Sequence, residues 1–353
     1  MQFERLNLIR CPISKTALRF QLISEFEKSY KNEVITEINE GLLFSETGFV
    51  FPIIDGIPRL LIESFYDYSD FLKRYVKQYE EINLSIKEKY KGLIEYCINK
   101  NKKSKQTFEF EWSFLNPQKK DKIWHDDLEN LSKVFLNDMG ESPDYFNGKY
   151  VMDVGCGHGL MTTCIASLSK LAIGIELSRA IENAYKRNQN KNVFYMQADL
   201  QFLPFEDHSI DVIYSSGVIH HTNNTELSLS LIEAALKSKG KLCLWLYHSQ
   251  ESSIHKLFLW LRKFTKNIPL KISFMFIMIF IFPFSFIFKK LKNKKSNNYR
   301  EEIIDLLDQF TPEFRYEIPH DIATHWLKRR QFKKIKITSL NQYGFSIVGE
   351  KST

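Results

Sequence analysis

From Lys149 onward, apolar runs of strand length alternate with stretches whose apolar positions recur every three or four residues. The runs predict strands at Tyr150–Val154, Leu171–Ile175, Val193–Gln197, Ile210–Ser215 and Lys241–Tyr247. Between them, helices are predicted over Leu160–Ser169, Arg179–Asn188 and Thr225–Lys237. Strands apolar on both faces, separated by helices, belong to βαβ units over a parallel sheet. Ile335–Ser339 and Phe345–Val348 read as two closing strands, and no internal repeat is visible. Residues 1–62 differ in texture. They show short alternating runs (Leu18–Leu22, Gly41–Phe44) and turn signals at Gly48, Pro52 and Asp55-Gly56, the pattern of a small β-rich module. Residues 63–148 carry aromatic and charged residues at helical spacing, broken at Gly92, Pro117, Gly140 and Pro143, and read as a helical linker or cap. The chain thus divides into 1–62, 63–148, 149–250, an apolar insertion at 251–298, and 299–353.

With 353 residues, 44% of them apolar, a sizeable core is available and global disorder is excluded. A net charge of +7 is modest for this length and does not by itself call for nucleic acid. Two lysine-rich stretches, Lys100–Lys105 and Lys289–Lys295, carry much of the excess; the first reads as a solvated face. The five cysteines are scattered, without a CxxC pair, which fits a reducing compartment. The start, MQFERLNLIR, lacks the apolar core of a signal peptide, so a cytoplasmic location is expected.

The strongest chemical signal is Val151-Met152-Asp153-Val154-Gly155-Cys156-Gly157-His158-Gly159, a buried strand running through three alternate glycines into a helix. Glycines there let the backbone turn sharply and approach a ligand closely. The spacing is not that of a dinucleotide loop, whose third glycine falls one residue later. Glu176 ends the second strand, roughly 20 residues on, where a carboxylate reaches a ribose diol. Asp199 follows the third strand, placed to accept from an adenine amino group. Each residue also has an ordinary structural explanation: a βα turn, a helix N-terminal charge, a turn cap. Together, in register, they point to a nucleoside-bearing ligand.

DVGCGHG, the strand-end Glu176, Ala198-Asp199-Leu200 and FEDHSIDVIYSSGVIHHT stand in the order and spacing of class I S-adenosylmethionine-dependent methyltransferases, and residues 149–250 resemble that family. The resemblance implies a Rossmann-like α/β fold with a seven-stranded sheet of order 3-2-1-4-5-7-6. It implies S-adenosylmethionine as cofactor, with Asp153, Gly155, Cys156, Gly157 and Gly159 along its amino-acid part. Glu176 would then meet the ribose, Asp199 and Leu200 the adenine, and Ser215 the same pocket. In-line methyl transfer needs positioning and desolvation, and no metal-ligand cluster is seen. A hydroxyl or carbon acceptor needs a base near the fourth strand, where His220 and His221 stand. His220 is the candidate catalytic residue. The alternative is that one histidine packs beneath the cofactor while the other caps the following helix. Trp112, in an aromatic helix before the loop, either lines the pocket or packs in the core.

Arg10–Ser14 and Phe51–Leu61 look like the small zinc-ribbon domain found beside some methyltransferases. Of its ligand positions only Cys11 keeps a soft ligand; Ser14, Phe44 and Thr47 occupy the others, so the module is expected to hold no metal. In the insertion, Ile272–Phe288 carries no charge and lysines flank it on both sides. Its hydropathy borders on a membrane span. A single pass is excluded on topology, because strands before and after it share one sheet. A lid, a peripheral contact with the inner face of a membrane, or a re-entrant hairpin remain, and Pro283 is expected to break or kink it. Three functional readings stand: a methyltransferase for a small or lipid-linked acceptor, an RNA or protein methyltransferase, and a non-catalytic scaffold. The intact loop opposes the scaffold, and the apolar insertion favours a lipophilic acceptor over nucleic acid.

Overall fold

The computed structural model describes residues 1–31, 33–114, 128–250, 252–291 and 299–352. The expected break at Pro117 and the lysines at 292, 294 and 295 lie outside them. β1 (Arg19–Ser29), β2 (Val34–Phe44), β3 (Val50–Ile54) and β4 (Ile57–Pro58) form an antiparallel sheet in chain order. Two short helices, α1 (Ser64–Asp67) and α2 (Ser69–Tyr75), lead into α3 (Tyr79–Ser113), which kinks at Tyr90, and then α4 (Leu128–Met139).

The main sheet contains β5 (Tyr150–Val154), β6 (Leu171–Glu176), β7 (Val193–Gln197), β8 (Ile210–Ser216), β9 (Leu236–Tyr247), β10 (Phe332–Leu340) and β11 (Gly344–Lys351). Its order is β10-β11-β9-β8-β5-β6-β7, parallel except for β11, which runs antiparallel to both β9 and β10. Read from the β7 edge, this is the expected order 3-2-1-4-5-7-6, the Rossmann-like methyltransferase fold. Helices α5 (Leu160–Ala166), α6 (Ala180–Arg187) and α7 (Thr225–Ala234) make the crossovers. Every residue of β6 and β7 is buried, which is why both read as unbroken apolar runs. The chain leaves β5 toward β6 on one side and β8 on the other. That reversal opens a crevice at the strands' carboxyl ends.

The N-terminal sheet continues this layer. Leu60 N–H donates to the Gln197 carbonyl at 2.8 Å, and the Arg59 backbone bridges the same edge. The buried Arg59 side chain pairs with Glu182 on α6 at 3.1 Å. Cys11 sits among hydroxyls: Ser45 Oγ lies 3.0 Å from its sulfur, while Phe44, expected at a ligand position, packs under the Arg19 guanidinium.

The insertion forms α8 (Ser253–Thr265), α9 (Leu270–Phe276), a π-helical turn (Ile277–Ile281) and α10 (Phe282–Leu291). Of the two outcomes expected at Pro283, a break does not occur: the chain stays helical, and the irregularity is the wider turn just before it, which absorbs the missing backbone donor. The inner side chains Phe258, Phe274, Ile277 and Phe282 pack on Phe110 and Phe114 of α3 and on α11 (Tyr299–Phe310). The outer side chains Leu257, Trp260, Phe264, Ile272, Met275, Ile279, Phe280, Phe284 and Ile287 are exposed. By length and composition Leu270–Ile287 would suffice to cross a membrane, yet it lies outside the sheet as a second layer. The helix α12 (His320–Arg329) returns the chain to β10.

Candidate functional site

A cavity of about 970 Å³ lies over the carboxyl ends of β5, β6, β7 and β8. α3 roofs it with Lys100, Asn101, Ser104, Phe108, Glu111 and Trp112, and α11 closes the far side with Asp305 and Asp308. Its size is near the top of the roughly 300–1,000 Å³ usual for small-ligand pockets, enough for a cofactor and an acceptor together.

The predicted residues divide between wall and support. Asp153, Gly155, Cys156, Glu176, Asp199 and Leu200 line the cavity. Gly157, Gly159 and Ser215 do not. Gly157 has φ +51°, and a Cβ there would lie 2.6 Å from the Trp112 indole, so the ring rests directly on the loop backbone. Trp112 also stacks on His158, with ring centroids 4.7 Å apart. Gly159 faces the Tyr195 hydroxyl and Ala184, beneath the loop. Ser215 points into the core, 3.4 Å from the Val154 carbonyl; its neighbours Ser216, Gly217 and Val218 form the wall instead.

Two carboxylates at the strand ends are held in defined positions. Glu176 accepts from Gly157 N–H at 3.1 Å and from the Ser178 backbone and hydroxyl, each at 2.8 Å. Asp153 accepts from Thr162 Oγ1 at 2.6 Å. Burial pushes Asp153 up to about 7 and also raises Glu176.

Asp199 differs from expectation in its company. Lys100 Nζ stands 2.5 Å from it and Asn101 Nδ2 3.0 Å, while the Gln201 backbone takes the other oxygen. The pair is buried, with about 8% and 7% of the two side chains exposed. Lys105 likewise reaches Glu63 and Asp67. The stretch from Lys100 to Lys105 is therefore not merely a solvated face: Lys100 fastens α3 to the end of the main sheet and Lys105 fastens it to α1.

The two histidines take opposite places. The single turn Ile219–His221 sends His220 inward, where it is wholly buried beside Tyr247. Burial, then His221 and Arg315, depress its basicity well below the ordinary value, and neither ring nitrogen has a hydrogen-bond partner among the described residues. His220 does not reach the cavity, whereas His221 lines it. Neither caps α7; Asn224 does, accepting from Leu227 N–H. His221 Nδ1 lies 2.9 Å from the Phe314 carbonyl, and Nε2 lies 3.3 Å from Asp308 Oδ1. Asp308 also accepts from the Tyr247 hydroxyl. Burial pushes Asp308 up, but His221, Tyr247 and Arg315 outweigh it and hold the carboxyl below its usual range.

Glu111, His221, Asp308 and Tyr247 thus join the site from outside the glycine loop. No local motif announced the acids. A faint signal was the polar stripe Asn101, Ser104, Thr107 and Glu111 at helical spacing on α3, all buried.

Against known proteins, residues 152–244 match the family described as "Methyltransferase domain". The chain is 28% identical over 98 residues to a ubiquinone biosynthesis O-methyltransferase of Coxiella burnetii, covering 27% of this chain and 42% of that protein. A tRNA U34 carboxymethyltransferase of Ruthia magnifica is 32% identical over 102 residues, covering 27% and 32%. The chain spans less than half the length of these relatives. Among solved structures, a SAM-dependent methyltransferase from Aquifex aeolicus aligns over 64% of this chain and 98% of its own, with 13% identity and a TM-score of 0.38. The match to this family takes in the glycine loop, Glu176, Asp199 and His221, while Glu111, Tyr247 and Asp308 lie outside it.

Proposed function

We propose that the protein is an S-adenosylmethionine-dependent methyltransferase acting on a hydroxyl of a small or lipid-linked acceptor. The carrying observation is the cavity that joins the glycine loop and the Glu176 carboxylate to the His221–Asp308 pair. The residues fit the cofactor: strand-end carboxylates for a ribose, Leu200 beside the Asp199 end, and room for a second molecule. The cofactor would supply a methyl group already activated on a sulfonium.

What remains for the chain is to orient the acceptor, exclude water and remove a proton. With Nδ1–H donating to the Phe314 carbonyl, a neutral His221 turns Nε2 toward the cavity and Asp308, and the two become an ion pair only once Nε2 takes a proton. A proton taken there creates an imidazolium 3.3 Å from Asp308, which stabilises it. α3 and the aromatic rings of Trp245 and Tyr247 cover the site and limit its contact with water.

The insertion supports a lipophilic acceptor. Residues 252–299 contain ten Lys or Arg and no Asp or Glu. The exposed outer face combines apolar side chains with Lys256, Lys263 and Lys271. That chemistry matches an anionic bilayer surface, touched peripherally. Among the described residues, the helices line none of the cavity; they brace α3 and α11, which suits a platform more than a lid. The name of the Coxiella relative, a ubiquinone biosynthesis enzyme, agrees with a hydroxyl acceptor.

Incubating the protein and methyl-labelled S-adenosylmethionine with whole-cell extract, then separating solvent-extractable lipid, RNA and protein, tests the reading. Label in the extractable fraction is expected. Label confined to RNA or protein would overturn the acceptor class, and absence of cofactor binding would overturn the activity.

A further inference from the structure

Glu111 is the least explained ionisable group in the molecule. It is 2% exposed, lines the cavity, and its Oε2 has no hydrogen-bond partner among the described residues. Isolating a carboxylate in this way costs several kcal/mol unless it is neutral or a cation arrives. Its electrostatic neighbours are all acidic: Asp308 and Asp305 on the acceptor side, Glu176 on the loop side. A group felt from both sides stands where the two halves of the cavity meet.

Position along α3 says the same. Lys100 and Asn101 hold Asp199 at one end of the cavity, and Trp112, one residue beyond Glu111, rests on Gly157 of the glycine loop. Eleven residues of helix separate Lys100 from Glu111, roughly 16 Å along the helix axis at 1.5 Å per residue, so Glu111 lies on the loop side of the roof, away from the Asp199 end. A cofactor with its adenine toward Asp199 would bring its sulfur and tail toward Glu111.

We infer that Glu111 is the counter-charge for the sulfonium of bound S-adenosylmethionine, and that this carboxylate lets the site tell donor from spent product. The inference rests on the methyltransferase reading above. In the reaction the sulfur–methyl bond breaks and an oxygen–methyl bond forms. The acceptor proton goes to His221, and the positive charge on sulfur is discharged. Glu111 then faces a neutral thioether and has lost its partner, which weakens product binding. Glu111 acts as a binding and positioning residue; it takes no part in bond formation.

Calorimetry with S-adenosylmethionine, S-adenosylhomocysteine and an analogue carrying an amine in place of the sulfonium tests this in wild type and Glu111→Gln. Wild type should favour the two cationic ligands over S-adenosylhomocysteine by tenfold or more. The variant should erase that preference while binding S-adenosylhomocysteine about as well as before. An unchanged preference, or an equal loss for all three ligands, overturns the inference. A second readout needs no variant. Titrations of wild type in buffers of different ionisation heat should show a proton released on binding the cationic ligands only, and equal proton release with S-adenosylhomocysteine overturns it. If wild type binds none of the three, the methyltransferase reading itself falls and this inference with it.

Discussion

Stripping three apolar side chains from the outer face of the insertion should abolish vesicle binding without disturbing the fold. Trp260, Phe280 and Phe284 are 64%, 59% and 75% exposed, so their substitution by serine removes little native packing. Fully covering such a side chain is worth about 1.5–3 kcal/mol. At these exposures, lipid contact contributes about 1.5 kcal/mol per residue, hence about 4.5 kcal/mol for three, roughly two thousandfold in partitioning. The exposed Lys256, Lys263 and Lys271 add on the order of 1 kcal/mol each against anionic headgroups, and salt weakens that part. Flotation with anionic and neutral vesicles at two salt concentrations reads both contributions. Wild type should float with anionic vesicles, less so at high salt, and the Trp260→Ser, Phe280→Ser, Phe284→Ser variant should stay at the bottom with an unchanged melting temperature. No flotation of wild type at low salt, or equal flotation of the variant, would refute the assignment.

Four other outcomes follow from the geometry. His221→Ala should lower turnover by about 10²–10⁴ while leaving cofactor affinity within twofold; a loss below tenfold would remove its role as base. Lys100→Met leaves Asp199 without its buried cation and should cost about 3 kcal/mol in denaturant unfolding, whereas a change under 1 kcal/mol would show the pair to be dispensable. Burial raises Asp153 to about 7 in the fold against roughly 3.9 unfolded, so its contribution to stability is full below about pH 4 and is lost as pH climbs to about 7. Asp153→Asn should flatten that decline in melting temperature, and parallel curves would contradict it. Gly157→Leu must displace Trp112 from the loop, so it should both shift tryptophan emission and end cofactor binding; retained affinity would refute the placement of the loop.

The centre of the main sheet was legible because β5, β6 and β7 are buried on both faces and come as short apolar runs bounded by turns and helices. β9 was read too short: Lys237-Ser238-Lys239-Gly240 has turn chemistry, and Lys239 does adopt φ +59°, yet the strand runs through it. The glycine loop was found, but not the division of labour within it. Gly157 and Gly159 serve the packing of Trp112 and Tyr195, contacts between residues far apart in sequence. Adjacent identical residues gave no basis for choosing between His220 and His221, since one φ/ψ pair in a single turn decides which faces α11. Lys100 and Glu111 were hidden for a related reason. A charged residue on a polar helix looks solvated until the partner surface is known, and here that surface is the end of another sheet.

The backbone bond from Leu60 to Gln197 has a meaning in time as well as in space. β4 and Leu60 emerge from the ribosome more than a hundred residues before the strand they pair with. At about 5–20 residues per second, that interval is on the order of ten seconds. Throughout it, Leu60 and Ile62, which end in the same core as Met196 and Ile175, lack the cover that β6 and β7 will bring, and an unpaired strand edge invites the wrong neighbour. The growing chain is therefore most vulnerable while the module waits for β7, and expression should respond to chaperone supply and synthesis rate more than to the stability of the finished fold. The module is made well before the strand that completes its edge.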